Sequence, residues 1–529
     1  MKKFDDLKRL FSEGRISRRD FIKSSTALGL AAAIPTALLT EEAKASEPKR
    51  GGRLIQALRG GATSDSLDGA LLIDTHNANI SWQVRSNMTE VKSDGSLVGE
   101  VVEDDWEASD DAAQWVFKVK KDVEFHNGKT LDAEDIIFSI NHHRGPDSKS
   151  GGSGAVSSIE DITADGKDTV VFKLKSGNAD FPFLMADYHL TIVPADSADL
   201  GDGVGTGPFK LKAWEPGVRA ETVRNPNYFK EGRPYFDEVE TLNVNDVAAR
   251  MSAVQTGSVH CIEEPDLKTV HMLEAQPGVV IKEAPGNKHF NYPMLTNKAP
   301  YDNNHVRMAL KLAMDREAML QTLLRGHGYL GNDHPIGRGQ QYFAADLEQR
   351  SYDPDKAKWH LQQAGLSSLD VTLDAADIYP GGVDGAVLFK EHASKAGINV
   401  NVNRVPTDGY WSEIWLKKDF CVAYWSGRAT EDWMFSTAYL STSEWNDMGP
   451  WKNEAFDKLL LEARAELDHD KRRTLYYEMQ RIVRDESGSI IPLFASWVMA
   501  LSDKLGTADQ LAGNWVMDGN KNHERWWFV

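Results

Sequence analysis

The sequence predicts a mixed α/β protein that is built from more than one domain. Segments with the two-residue apolar alternation of strands are interspersed with segments whose apolar residues recur at helical spacing. At 529 residues, the chain is also too long for a single hydrophobic core. Apolar residues make up 41% of the chain and charged residues 26%, which is the composition of an ordinary globular protein.

The predicted elements alternate along the chain. Strands are predicted at residues 51–58, 115–119, 168–175 and 490–501, and helices from near residue 131 and at 304–323, 354–363 and 454–486. The helix at 354–363 starts with Pro354 and is followed by Gly365, the usual order of these residues at helix ends. The last helical region is expected to break near Asp468. Residues 146–156 are rich in glycine and serine and are expected to form a mobile loop.

The first 45 residues have the organisation of an export signal. Ser17-Arg18-Arg19-Asp20-Phe21-Ile22-Lys23 is a twin-arginine signature, and an apolar run from Ala27 to Leu39 follows it. Ala43-Lys44-Ala45 has the small-x-small pattern that signal peptidase cleaves. The apolar run is shorter than the roughly 20 residues of a membrane-spanning helix. We therefore expect residues 1–45 to be removed after Ala45 and the mature protein to be released into the periplasm.

The acidic charge of the chain limits its partners. The formal net charge is −19 at pH 7. Binding to the phosphates of a nucleic acid needs a basic surface, so we expect no nucleic-acid partner. Most of the negative charge is expected to serve solubility, which says nothing about function.

Two cysteines limit the redox chemistry that the chain can support. The twin-arginine route carries folded proteins that often hold cofactors, so a redox enzyme is the first alternative. Cys261 and Cys421 are too few thiolates for an iron–sulfur cluster, and no CxxC or CxxCH motif is present. They can form one disulfide in an oxidising compartment or stay separate buried thiols, and we favour separate thiols. We expect no cofactor.

Motifs of the common hydrolases are absent from the sequence. There is no GxSxG nucleophile elbow and no HExxH zinc helix. His142-His143 is the only adjacent histidine pair, and neighbouring positions of a helix point to different faces. We therefore predict that the protein is not an enzyme and holds no metal at this pair. A periplasmic enzyme is kept as a remote alternative.

Several short motifs follow one another along the chain in a characteristic order. They are Gly51-Gly52-Arg53-Leu54, the run 115–120 with 125–128 and 131–135, Gly205-Thr206-Gly207-Pro208-Phe209, Arg224-Asn225-Pro226-Asn227-Tyr228, and residues 303–310 with Asp315-Arg316. In this order and spacing they resemble the family 5 extracellular solute-binding proteins, which serve dipeptide, oligopeptide, nickel and opine importers. Each motif alone is weak, because a sequence such as GTGPF also fits any tight turn.

The resemblance implies an α/β, two-lobed periplasmic-binding-protein fold (type II, cluster C-like) with an extra subdomain and a hinge. Lobe I would combine residues 46–82, 200–285 and 500–529, the extra subdomain would be 83–199, and lobe II would be 286–499. Chain crossings near 285 and 500 would form the hinge. The lobes would close around a ligand, and an ABC transporter membrane permease would recognise the closed form. We expect a monomer.

The resemblance also points to two cleft segments. The loop after the first strand, residues 60–65, would contribute the Thr63 and Ser64 hydroxyls. In the family's peptide binders, the residue three positions after the tryptophan of the second segment is typically an aspartate that pairs with the peptide's α-ammonium. Here the tryptophan is Trp425, and the residue at that position is Arg428, which follows Gly427. Trp425 and Trp411 are expected to face the ligand as flat apolar walls.

Three interpretations of Arg428 remain open from the sequence. The first is a non-peptide anionic ligand, such as an opine or an amino-acid conjugate, whose carboxylate meets the guanidinium. In the second, Glu431 or Asp432 holds the ammonium and the ligand is a peptide. The third is a structural ion pair between Arg428 and one of these two acids. Binding of nickel or haem, which occurs among similar proteins, is a more remote alternative.

Overall fold

A mixed nine-stranded sheet is the largest element of the structure, a computed structural model that describes residues 48–449 and 451–529. A four-stranded sheet and three two-stranded sheets accompany it. The twin-arginine signature and the Ala45 cleavage position lie outside the described residues. Within the described ranges, no helix is both long and apolar enough to cross a membrane.

The elements are numbered here in chain order. The strands are β1 (Arg53–Leu58), β2 (Thr89–Val91), β3 (Leu97–Gly99), β4 (Glu107–Ala108), β5 (Gln114–Lys118), β6 (Ile159–Ala164), β7 (Thr169–Leu174), β8 (Phe209–Glu215), β9 (Arg219–Arg224), β10 (Glu238–Asn243), β11 (Cys261–Glu263), β12 (Val279–Pro293), β13 (Gly328–Leu330), β14 (Leu369–Ala375), β15 (Ile398–Arg404), β16 (Ala423–Trp425), β17 (Ser489–Ser502), β18 (Leu505–Gly506) and β19 (Trp527–Phe528). The helices are α1 (Thr75–Val84), α2 (Ala133–Asn141), α3 (Ser153–Val156), α4 (Phe181–Leu184), α5 (Val247–Gln255), α6 (Val270–Glu274), α7 (Asn304–Leu312), α8 (Arg316–Leu323), α9 (Pro354–Gln363), α10 (Gly382–Ser394), α11 (Tyr410–Glu413), α12 (Glu431–Ala438), α13 (Glu454–Ala465), α14 (His469–Glu486), α15 (Val516–Asn520) and α16 (Asn522–Arg525).

The helix and strand signals of the sequence correspond to elements of the structure. The four predicted strands are β1, β5, β7 and β17, and the helix expected near residue 131 is α2. Asp132 caps α2, because its side chain accepts a hydrogen bond from the Glu134 backbone N–H. The break expected near Asp468 separates α13 from α14, and the Asp468 side chain caps α14. Cap residues therefore decide where these helices begin.

Two sequence expectations differ from the structure. The helical spacing at 304–323 belongs to two helices, α7 and α8, because the Asp315 side chain accepts the Ala318 N–H at 3.0 Å and starts a new helix. The segment 146–156, expected to be a loop, contains the short helix α3, in which Ala155 and Val156 are buried. In the second case, burial of the Ala155 and Val156 side chains stabilises a short helix, although the surrounding glycines and serines favour a loop.

The strand order places β1, from the start of the described region, between β10 and β11, which come from the middle of the chain. The large sheet runs β16-β12-β17-β11-β1-β10-β9-β8, and β13 also pairs with β17. β1 is parallel to its two neighbours β10 and β11, and the other pairs of this sheet are antiparallel. The four-stranded sheet, β4-β5-β7-β6, is antiparallel and packs an aromatic core that includes Trp115, Phe117 and Phe172.

The antiparallel pair of β12 and β17 belongs to both halves of the large sheet. These strands have 15 and 14 residues and pair from Val279 opposite Ser502 to Pro293 opposite Ser489. Their register shifts between Pro285 and His289. On one side of this bulge β17 pairs with β11, and on the other β12 pairs with β16 and β17 with β13. The bulge therefore divides the sheet into two halves that share only these two strands.

Both cysteines are buried free thiols. Cys261 lies in β11, and Cys421 lies two residues before β16. Burial raises the pKa of each thiol well above its ordinary value. The separate thiols favoured from the sequence are therefore present, and each is protonated at neutral pH.

A buried cluster of opposite charges joins distant parts of the chain. The members of this ionic network are Glu90, Glu100, Glu524, Lys230, Lys521 and Arg525. The Lys230 ammonium lies 2.9 Å from Glu100 and 3.1 Å from Glu524, and it also contacts Glu90. Lys521 lies 2.5 Å from Glu100, and Arg525 lies 2.7 Å from Glu90. The network thus ties the segments around β2 and β3 to the loop after β9 and to the C-terminal helix α16.

Three carboxylates of the ionic network have the spacing of a possible metal site in the described chain. Oxygen atoms of Glu90, Glu100 and Glu524 all lie within 4.8 Å of one another. Lys230, Lys521 and Arg525 supply the three positive charges that neutralise them. The arrangement is therefore that of a buried salt-bridge cluster.

We predict that Lys230→Met lowers the free energy of unfolding by about 3 kcal/mol or more at pH 7, because it leaves three buried carboxylates with too few cations. Burial by itself lowers the pKa of Lys230, but Glu100, Glu524 and Glu90 raise it well above its usual range. The contribution of Lys230 is therefore complete below the unfolded pKa near 10.5 and is lost as the pH rises through the folded pKa. Urea unfolding at pH 7 to 9 measures it.

The matched control is Lys118→Met. Lys118 lies 3.0 Å from Asp105 on the surface, and both side chains are at least half exposed. Exposed ion pairs of this kind contribute about 0–1 kcal/mol. Equal losses in the two variants would contradict a special role of the buried ionic network.

Candidate ligand-binding cleft

A cavity of about 790 Å³ opens beside the bulge of the β12–β17 pair. We call it the cleft. Its lining comes from residues 59–60, 73–75, 183–184, 186–188, 339–341 and 426–431, together with Trp82, Val91, Gly95, Asn245, Glu264, Asn287, Trp433, Trp497, Asn514 and Trp515. The end of β1, the start of α1, the bulge and the loop between β16 and α12 therefore converge on one space.

The loop between β16 and α12 needs glycine at position 427. Gly427 has a φ of 82°, in the left-handed region that favours glycine. A Cβ atom at this position would lie 2.5 Å from the Asn287 Cβ in the bulge of β12. The close approach of the two segments sets the position of the next residue, Arg428, on the cleft wall.

Arg428 is half-buried, and its guanidinium has no carboxylate partner among the residues that the structure describes. Its Nη1 donates to the Gly427 carbonyl at 2.7 Å. The guanidinium carbon lies 5.4 Å from the Trp425 ring centre and 5.8 Å from that of Trp433. Burial lowers the pKa of Arg428. Two aromatic rings therefore support the cation, and its charge is left uncompensated.

The acids next to Arg428 have other partners. Asp432 receives two hydrogen bonds from Arg464 Nε, at 3.0 and 3.2 Å. Glu431 accepts the Tyr342 N–H at 2.6 Å, and burial raises its pKa to about 7. The ion pair that the sequence allowed between Arg428 and Glu431 or Asp432 is not formed, so that interpretation is wrong.

The structure brings only some of the sequence-predicted site residues together. Gly427, Arg428 and Glu431 line the cleft, whereas Asp432 lies behind it in the pair with Arg464. Trp425 is 6% exposed and donates its Nε1 hydrogen to Asp447 at 3.1 Å, so it supports Arg428 from behind. The remaining predicted residues, Thr63, Ser64 and Trp411, are exposed and are not part of the cleft lining.

Three aromatic side chains that the sequence did not single out form one side of the cleft. We call Trp82, Tyr188 and Trp515 the aromatic wall. The Tyr188 and Trp515 ring centres are 4.7 Å apart at an interplanar angle of 89°, and Trp82 packs edge-on against both at 6.2 to 6.4 Å. Edge-to-face packing fixes the rings, so the wall is a rigid surface. Tyr188 and Trp515 are partly exposed within it.

Asp74 is a further cleft residue that the sequence did not single out. It caps α1, and its two oxygen atoms accept hydrogen bonds from the Asn77 N–H and Nδ2 at 2.9 and 3.0 Å. No cation lies within ion-pair distance of Asp74 in the described part of the chain. Burial raises its pKa, and its hydrogen bonds to Asn77 only partly oppose this. The cap pattern before α1 is the signal that could have identified it.

A second cavity of about 840 Å³ adjoins the cleft. Gly95, Phe183 and residues 339–341 line both cavities. Arg338 and Arg473, both exposed, also line the second cavity. The two cavities therefore share part of their lining.

Comparison with known proteins identifies the family. Residues 96–447 match the model of the bacterial extracellular solute-binding proteins, family 5, and residues 15–35 match that of the twin-arginine translocation signal. The probable D,D-dipeptide-binding periplasmic protein DdpA of Escherichia coli K12 is 25% identical over 465 residues, which cover 84% of this chain and 89% of the relative. Heme-binding protein A of Haemophilus influenzae is 25% identical over 462 residues, which cover 79% of this chain and 83% of the relative.

Solved structures share the fold. HbpA2 of Haemophilus parasuis has a TM-score of 0.77 at 20% identity, covering 88% of this chain and 99% of that one. DppA of Helicobacter pylori, solved with the peptide STSA, has a TM-score of 0.67 at 22% identity, covering 90% and 99%. These are two-lobed periplasmic binding proteins, as the sequence resemblance implied. The chain belongs to the family 5 bacterial extracellular solute-binding proteins and carries a twin-arginine signal for export to the periplasm.

Proposed function

We propose that the cleft captures short peptides, or peptide-like organic solutes that carry a carboxylate, and that the loaded protein delivers them to an ABC transporter permease. The observation that carries this proposal is Arg428, a cleft-lining guanidinium without a carboxylate partner in the described chain. A ligand carboxylate would compensate its charge and accept two parallel hydrogen bonds from the planar group. The contacts with Trp425 and Trp433 hold the guanidinium in place for such a ligand.

The size and walls of the cleft agree with a ligand of this kind. Its volume of about 790 Å³ lies within the range of small-molecule sites, about 300–1,000 Å³. The aromatic wall supplies apolar surface. The named relatives include a probable D,D-dipeptide-binding protein and a structure with a bound peptide, which favours peptides over opines or amino-acid conjugates. A metal ligand is not favoured, because the three carboxylates that lie within 4.8 Å of one another in the described chain are neutralised by Lys230, Lys521 and Arg525.

Closure would occur about the bulge of β12 and the facing part of β17. These strands connect the parts of the chain assigned from sequence to lobe I (46–82, 200–285 and 500–529) and to lobe II (286–499). The Asp180 carboxylate lies 2.6 Å from Arg472 of α14, and the Ala179 N–H donates to the Arg464 carbonyl at 2.7 Å. These contacts join the extra subdomain (83–199) to lobe II and would stabilise the closed form.

The proposed cycle needs a single mature chain, starting at Ser46 after cleavage. One chain contains both walls of the cleft, so we propose that the protein acts as a monomer. We also propose that it binds no nucleic acid and catalyses no reaction. The permease would distinguish the loaded protein by its closed arrangement.

We predict that wild-type protein is stabilised in thermal-shift measurements by dialanine or trialanine and much less by their C-terminal amides. In Arg428→Ala, affinity for the free peptides should fall at least tenfold, since the carboxylate loses its cation. A ligand at 100 times its Kd stabilises the folded state by about 2.7 kcal/mol, which gives a clear rise in melting temperature. Isothermal titration calorimetry then measures each Kd.

Arg404→Ala is the matched control, because Arg404 is exposed at the end of β15 and does not line the cleft. It should bind like the wild type. Unchanged affinity in Arg428→Ala would remove this residue from the site. If only non-peptide organic acids stabilise the wild type, Arg428 keeps its proposed role but the ligand is not a peptide.

We predict that Asp180→Asn weakens ligand binding at least tenfold and leaves the melting temperature of the unliganded protein nearly unchanged. In an open form Arg472 would be solvated, so the lost ion pair penalises mainly the closed form. Small-angle X-ray scattering should show less compaction on adding peptide than in the wild type. Asp105→Asn, which alters an exposed pair in the same subdomain, is the control. Full compaction in Asp180→Asn would contradict the closing role of this pair.

A further inference from the structure

The carboxylates that line the cleft differ in how their charge is compensated. Glu264 pairs with Arg59, and Asp187 lies 2.6 Å from His189 Nδ1. Glu431 is 3% exposed and is held by the Tyr342 N–H. Asp74 remains: it is partly exposed to the cleft and has no cationic partner in the described chain.

The start of α1 does not cancel the charge of Asp74. A helix N-terminus carries about half a positive charge, whereas the ionised carboxylate carries a full negative one. The two hydrogen bonds from Asn77 are neutral and leave further lone pairs on both oxygen atoms. This end of the cleft therefore keeps a net negative charge.

Aromatic rings lie beside this negative charge. The Tyr188 side chain lines the cleft together with Asp187 and Asp74, and burial raises the pKa of its hydroxyl. The hydroxyl makes no hydrogen bond within the described residues. Trp515 Nε1 donates to Thr75 Oγ1 at 3.2 Å, so this ring is anchored to the first turn of α1. A third ring of the wall, Trp82, already contacts a cation, since the Lys521 ammonium lies 5.6 Å from its centre.

From these positions we propose that the space bounded by Asp74, Tyr188 and Trp515 is a subsite for a cationic group of the ligand, such as the free α-ammonium of a peptide. The carboxylate would form the ion pair, the tyrosine hydroxyl would accept a hydrogen bond, and the ring faces would add cation–π attraction. The inference rests on the proposed function and deepens it. With Arg428 in the same cleft, it assigns a ligand that carries both charges.

The test uses dialanine and N-acetyl-dialanine, which differ in the ammonium and share the carboxylate. Wild-type protein should bind dialanine at least tenfold more tightly. Asp74→Asn should bring the two Kd values within about threefold of each other by weakening dialanine alone. Asparagine caps helices as well as aspartate does, so the variant should fold normally. Isothermal titration calorimetry gives the Kd values, and the melting temperature without ligand checks the fold.

Asp353→Asn is the matched control. Asp353 caps α9, where it accepts the Lys356 N–H at 2.8 Å, and it is not part of the cleft lining. This variant should keep the wild-type preference for dialanine. A second variant, Tyr188→Leu, removes a ring and a hydroxyl without touching any charge, and it should reduce the preference partially.

The outcomes separate the two proposals. Equal binding of the two peptides by the wild type, or an unchanged preference in Asp74→Asn, would overturn the ammonium subsite and leave the carboxylate role of Arg428 intact. If neither peptide binds the wild type while other solutes do, the peptide function itself fails, and the subsite that rests on it fails with it.

Discussion

The pairing of β12 with β17 is the interaction on which the rest of the structure depends. Each strand is long enough to take part in both halves of the large sheet, and the register shift between Pro285 and His289 lies between those halves. A bulge interrupts the ladder and bends the strands locally without separating them. The cleft forms at this point, since Asn287 and Trp497 line it from the two paired strands.

Charged side chains in this molecule differ in whether an opposite charge lies beside them. Two groups of buried charges away from the cleft are matched, namely the ionic network around Lys230 and the pair of Arg316 with Asp333 at 2.7 Å. Buried ions of this kind need such partners to offset the loss of hydration. In the cleft, Arg428 and Asp74 lack them in the described chain. A charged group without an opposite charge beside it can pair with a charged group of a ligand, and we therefore base the proposed function on these two residues.

The aromatic wall connects the ionic network to the cleft. Trp82 contacts the Lys521 ammonium with one part of its ring and packs edge-on against Tyr188 and Trp515. The C-terminal segment thus serves both structure and site, because Lys521 belongs to the network and Trp515 lines the cleft. Rings held by such packing keep their orientation when a ligand arrives, which lowers the entropy cost of binding.

The sequence by itself determined the mixed α/β class, the export signal and the starts of the helices that it predicted, because these follow from local periodicity, from short motifs and from cap residues such as Asp132 and Asp468. It also singled out Arg428 through its position after Trp425. It did not find Asp74 or the aromatic wall, and it placed Thr63, Ser64 and Trp411 at a cleft whose lining does not include them. Tertiary structure decided those positions, since Asp74, Tyr188, Arg428 and Trp515 are far apart in the chain. Trp515 is hydrogen-bonded to Thr75 and packs on Tyr188, and Arg428 reaches the same cleft because β12 and β17 join the two halves of the large sheet.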